Sequence, residues 1–70
     1  MTSAVQTFDE YRGEVVRLLR EDGYAAEAAC RLVRRYRYDI EIYYGAGKTA
    51  IAATEAVIGW DEAGDTDVAE

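Results

Sequence analysis

The chain has 70 residues, half of them apolar, with a formal charge of −6, one cysteine and no histidine. This length supports one domain with a small core, and a lone Cys30 without histidine excludes both an intrachain disulfide and a Cys/His zinc site as staples. Association with another chain is the remaining common means of support, and no apolar run approaches the ~20 residues of a membrane span.

The charge is unevenly placed. The last ten residues, DEAGDTDVAE, hold five of the fourteen acids and no base, so residues 1–60 carry nine acids against eight bases and are about neutral. The lone thiol, and a start lacking the basic and apolar regions of a signal peptide, point to a reducing cytoplasm.

In chain order, Ser3 with Gln6 and Thr7 with Glu10 both fit the capping-box spacing, in which the two side chains satisfy orphan backbone N–H groups; Thr7 is the better start. From there Phe8, Tyr11, Val15, Leu18 and Leu19 recur at helical spacing, with acids early and Arg17 and Arg20 late, as the helix dipole favours. The pattern predicts a first helix over 8–21. Gly13 within it costs about 1 kcal/mol relative to alanine, and reads either as a close approach or as a tolerated glycine on an exposed face. Gly23 stops the helix by taking the left-handed conformation.

No glycine or proline follows until Gly45. Ala25, Ala29, Leu32, Val33, Tyr36, Ile40 and Tyr43 fall on one stripe, which predicts a single long helix over 24–44. Residues 35–44 also alternate, with Tyr36, Tyr38, Ile40, Ile42 and Tyr44 on one face, which is a strand pattern. A strand would need a partner that the rest of the chain does not offer, so the helix is preferred. Gly45-Ala46-Gly47 breaks it.

A third helix is predicted over 48–58, with Ala50, Ile51, Ala53, Thr54, Val57 and Ile58 on its buried side. Gly59 is its expected terminator, with Trp60 folding back on the last turn. Residues 61–70 have too few apolar groups to offset ordering entropy and read as a disordered acidic tail. A faint repeat at a separation of 24 relates GYAAEAACRLV from Gly23 to GKTAIAATEAV from Gly47. If it reflects structure, both helices begin after a glycine and present an alanine face.

Chemistry is thinly represented. GAGKT at 45–49 resembles the end of a phosphate-binding loop, but Ile42 stands where the pattern needs glycine and there is no parallel sheet behind it, so a helix–helix turn is the preferred reading. There is no histidine to act as a base, and Cys30 is read as a small buried hydrophobe rather than a nucleophile. Asp61, Glu62, Asp65 and Asp67 lack the ligand placement of a calcium loop. No catalytic residue, metal, cofactor or small-molecule substrate is therefore expected. Asp39 with Arg35 and Glu41 with Arg37 fit i,i+4 ion pairs.

The more informative pattern lies on the long helix. Opposite its core stripe runs a second one, Tyr24, Ala28, Arg31, Arg35, Tyr38 and Ile42, rich in the tyrosine, arginine and isoleucine that suit contact surfaces. A protein partner, most simply a second copy of the chain, would use Tyr24, Tyr38 and Ile42 as anchors with Arg31 and Arg35 at the rim. A nucleic acid would instead use Arg31, Arg34, Arg35 and Arg37 on phosphates with tyrosine stacking, a reading weakened by the neutral core and by Asp39 and Glu41. The sequence thus predicts an all-α, three-helix domain over 1–60 with a long central helix. Its expected function is that of a small homodimeric accessory or inhibitor protein, not an enzyme, acting through Tyr24, Arg31, Arg34, Arg35, Tyr38 and Ile42.

Overall fold

The structure, a computed structural model, describes residues 6–63. They form four helices, α1 Phe8–Glu21, α2 Ala26–Arg35, α3 Arg37–Gly45 and α4 Ala50–Glu62, with no strand among the described residues. The strand reading of 35–44 is thereby set aside, and the single long helix is corrected to two.

The first helix begins as expected. Thr7 accepts from the Glu10 N–H at 3.1 Å while the Thr7 N–H donates to Glu10 at 3.0 Å, completing the capping box; the alternative start at Ser3 lies outside the described residues. Tyr11, Val15 and Leu19 form its buried stripe, and α1 touches all three other helices.

The two glycine turns are built alike. Gly23 has φ +117° and Gly47 φ +81°, a region that costs glycine nothing and most residues dearly. In each turn the glycine N–H reaches back three residues, Gly23 to the Arg20 carbonyl and Gly47 to the Tyr44 carbonyl. The next N–H reaches back five, Tyr24 to Leu19 and Lys48 to Tyr43. These two bonds define the Schellman motif, which satisfies carbonyls left open at a helix C-terminus. Two residues after each glycine comes the N-cap position of the next helix, Ala25 and Thr49, with nearly the same backbone angles, though only the Thr49 side chain accepts a capping hydrogen bond. Ala29 and Ala53 are both buried, as are Val33 and Val57. The repeat at a separation of 24 is therefore a structural one: two copies of a cap, turn and alanine-faced helix.

The central helix divides at Tyr36, whose φ −103° and ψ 23° lie outside the helical region. Neither side is left without backbone bonds, since the Tyr36 N–H donates to Leu32 at 2.9 Å and its carbonyl accepts from Ile40 at 2.9 Å. There is no proline or glycine here to force the break. Among the residues after it, Tyr38, Asp39, Ile40 and Ile42 are weak helix formers, while Arg37 and Glu41 are strong ones. The joint lets aromatic side chains engage both outer helices. Tyr36 and Tyr43 lie against Trp60 of α4, with centroids 5.3 and 6.2 Å apart. Tyr44 lies against Phe8 and Tyr11 of α1 at 5.5 and 5.2 Å. Such pairs add about 0.5–1.5 kcal/mol each beyond area burial.

The last helix is longer than predicted. It runs through Gly59 to Glu62 instead of ending at 58, and Trp60 sits within it rather than folding back. Packing of Trp60 on two tyrosines outweighs the ~1 kcal/mol that a helical glycine costs. Asp61 and Glu62, assigned to the tail by composition, belong to this helix, and residues 64–70 lie outside the described residues. Three burial expectations are also corrected: Ala25, placed on the core stripe, is exposed, Ile51 is 59 % exposed, and Cys30 is exposed rather than buried. Cys30 follows Ala29 by one position and precedes Leu32 by two, which turns it about 100° and 200° away from those core residues.

Candidate interaction surface

The GAGKT segment is a helix–helix turn. The Thr49 hydroxyl caps α4 by accepting from the Ala52 N–H at 3.1 Å. The Tyr11 hydroxyl reaches over from α1 to the carbonyls of Lys48 and Thr49, 3.0 Å from each. Burial, with a smaller contribution from nearby Tyr43, raises the Tyr11 phenol above its usual range. The turn is thus tied to α1 through its backbone.

The six residues of the second stripe do not form one line, because the Tyr36 joint separates them. Four of them gather at α2 and the turn before it. Tyr24, Ala28, Arg31 and Arg35 line a groove of about 370 Å³ together with Leu32, Tyr36 and Asp61. Tyr24 is half-buried, and its hydroxyl donates to Asp61 Oδ2 at 3.1 Å, joining the start of α2 to the end of α4. Burial and then that hydrogen bond raise its phenol above the usual range. The Arg35 guanidinium stands 5.7 Å from the Tyr36 ring centroid, a cation–π contact, in place of the expected pair with Asp39.

Arg31 makes no ion pair among the described residues, and neither does Arg34. Arg34 lines two other concavities, one of about 530 Å³ with Asp9, Arg12, Gly13, Cys30 and Arg37, and one of about 450 Å³ that it shares with Arg31. Arg37 pairs loosely with Glu41 at 3.8 Å, the i,i+4 contact the sequence predicted.

Tyr38 and Ile42 lie beyond the joint, on α3. They are 77 % and 58 % exposed, and a four-residue spacing sets them on one face of the helix. Beneath them Ile40 is fully buried, while Tyr43 and Tyr44 are partly buried against the core. Helix α3 therefore presents apolar groups in both directions. The sequence signal that reveals this is the same alternation that suggested a strand, because a short helix with apolar residues at 38, 40, 42, 43 and 44 cannot bury them all on one side.

Among the described residues no three His, Cys, Asp or Glu side chains come together as a metal site, and no helix is long and apolar enough to cross a membrane. No family model matches the sequence, and no curated protein or solved structure is similar to the chain.

Proposed function

We propose that the protein is a non-enzymatic binding protein that works by occupying the surface of a larger protein, as an accessory subunit or inhibitor, with α3 as its contact helix. The observation that carries this reading is the outward pair Tyr38 and Ile42, 77 % and 58 % exposed on a nine-residue helix whose opposite side already anchors it to the core. A tyrosine and an isoleucine one turn apart offer a large apolar area with one directional hydroxyl, the composition of interface anchors. Arg31, Arg34 and Arg35 provide cations on the adjoining helix, suited to carboxylates at a rim. Tyr24 is assigned to holding the groove together through Asp61 rather than to anchoring a partner. The simplest partner is a second copy of the chain.

The test is the double variant Tyr38→Ser, Ile42→Ser. Exposed substitutions of this kind change stability by no more than about 0.5 kcal/mol, so helicity and the unfolding midpoint should hold while self-association, or retention of a partner on immobilised protein, is lost. Unchanged sedimentation together with unchanged retention would refute the assignment.

A second reading, a nucleic-acid-binding regulator, is favoured by one observation: Arg31 and Arg34, one turn apart, are free of ion pairs among the described residues. It requires duplex or single-stranded nucleic acid to bind with an affinity that falls steeply with salt. Failure to retard a mixed-sequence probe at low salt removes it.

A further inference from the structure

We propose that the concavity between α1 and the α2–α3 pair is an anion-binding site whose ligand is a small phosphomonoester. The site lies apart from Tyr38 and Ile42, and it goes beyond the proposed function without resting on it.

Both walls follow from helical spacing. Asp9, Arg12, Gly13 and Val16 of α1 stand at i, i+3, i+4 and i+7. Cys30, Val33, Arg34 and Arg37 repeat the same spacing across the Tyr36 joint, so each set shares one face. Together they line about 530 Å³, a volume in the range of small-molecule sites. Val33, buried, and Val16, half-buried, supply its apolar part. Gly13 is exposed and a Cβ built on it would meet nothing within 4 Å, so the α1 wall carries no side chain at that point.

Charge selects the ligand. The lining holds three arginines, one from each of three helices, in a chain whose formal charge is −6. Its single carboxylate, Asp9, is held by Arg12 at 3.2 Å, while Glu41 meets Arg37 only at 3.8 Å. Arg34 makes no ion pair among the described residues. Three cations against one carboxylate leave the lining with a formal excess of two positive charges, which a phosphomonoester dianion matches. Each guanidinium presents a planar fork of N–H donors to paired oxygens. Exposed ion pairs are individually weak, so binding depends on several arginines acting on one phosphoryl group while the ester's apolar body rests on the valines.

Cys30 lies on the lining and is exposed, so its alkylation reports on the site in the unaltered chain. The thiolate fraction enters the rates with iodoacetate and with iodoacetamide alike and cancels in their ratio, which reads the potential at the sulfur. At low ionic strength the ratio should stand about threefold or more above that of the same chain unfolded in urea, the effect of one uncompensated cation roughly 6 Å away in water. It should fall to the unfolded value near 1 M salt. With ionic strength held constant, phenyl phosphate should slow the reaction with iodoacetamide more than benzenesulfonate does, the latter being a monoanion of similar shape.

Arg34→Gln, Arg37→Gln, at two exposed positions, should remove both the raised ratio and the protection. Gly13→Glu keeps all three arginines but adds a carboxylate to the concavity, and should remove the protection as well; its open position and helix-favouring side chain preserve α1. A ratio no higher than that of the unfolded chain overturns the proposal, as does equal protection by the two anions or protection that survives both variants. A mixed-sequence oligonucleotide that protects at a lower phosphate concentration than phenyl phosphate also overturns it, because the occupant is then a nucleic acid. The Tyr38→Ser, Ile42→Ser chain should keep ratio and protection, so failure of this site and failure of the α3 assignment are read separately.

Discussion

Helices α2 and α3 are one stretch of apolar pattern cut in two, and they use it differently. α2 divides cleanly: Ala29, Leu32 and Val33 face the core, and Arg31, Arg34 and Arg35 face solvent. α3 does not, for it has one fully buried residue, Ile40, and leaves Tyr38 and Ile42 in water. An amphipathic helix is fully accounted for by its own domain, whereas a helix apolar on two sides is not. The contrast leaves α3, unlike α2, with apolar side chains on two sides, one against the core and one in water.

The largest expected effect tests whether α3 is fixed to the domain by that one residue. Ile40→Ala removes a fully buried side chain, a change that typically costs 2–5 kcal/mol, a large share of the stability of so small a domain. The expected outcome is loss of hydrogen-exchange protection over α3 before α2, with the urea midpoint shifted strongly downward. Equal loss in both helices would mean that they behave as a single unit despite the joint at Tyr36.

A smaller effect separates the polar ties from the apolar ones. Tyr11→Phe deletes the hydroxyl that reaches the Lys48 and Thr49 carbonyls, and is expected to cost about 1 kcal/mol, the net worth of a typical hydrogen bond. The same residue sets an alkaline limit. The folded-state phenols of Tyr11 and Tyr24 are raised above their ordinary value, so the fold favours their neutral forms. Their contribution is complete below the unfolded pKa of about 10 and is lost as pH rises through the higher folded values. Urea midpoints should accordingly be insensitive to these two groups near neutrality and fall above about pH 10, with a shallower fall in Tyr11→Phe.

The contrast between α2 and α3 also marks how far the sequence could be read. Local chemistry was legible: the Thr7 and Glu10 box, the two glycine turns and the alanine-faced repeat each depend on residues a few positions apart, and each has the structure its spacing implies. Of the predicted core stripe, Ala25 is exposed and Tyr43 partly buried, but the five residues between them, Ala29, Leu32, Val33, Tyr36 and Ile40, are buried, because helical periodicity survives a single-residue joint. The joint was not. Tyr36 leaves the helical region with no proline or glycine, in a setting that includes Trp60 24 positions away, and no local pattern records such a contact. The same ring carried α4 through Gly59, where propensity alone would have stopped it. For the site, the residue types were readable but their grouping was not. Arg31 shares one groove with Arg35 and Asp61 and another concavity with Arg34, while Tyr38 and Ile42 stand apart on α3.

The smallest effect concerns the glycine that the fold itself does not require. Gly13 is inside α1 and exposed, and a Cβ built on it would meet nothing within 4 Å. Its angles are helical rather than left-handed, so alanine fits without strain. Gly13→Ala should therefore raise stability by about 0.4–1 kcal/mol, chiefly by narrowing the unfolded ensemble, and thermal unfolding should move upward by a few degrees. Because Gly13 lines the concavity that holds Arg34 and Cys30, away from Tyr38 and Ile42, partner retention through α3 should be unaffected. Weakened retention in a chain made more stable would show that the contact extends beyond the outward pair on α3, across α1 to this concavity.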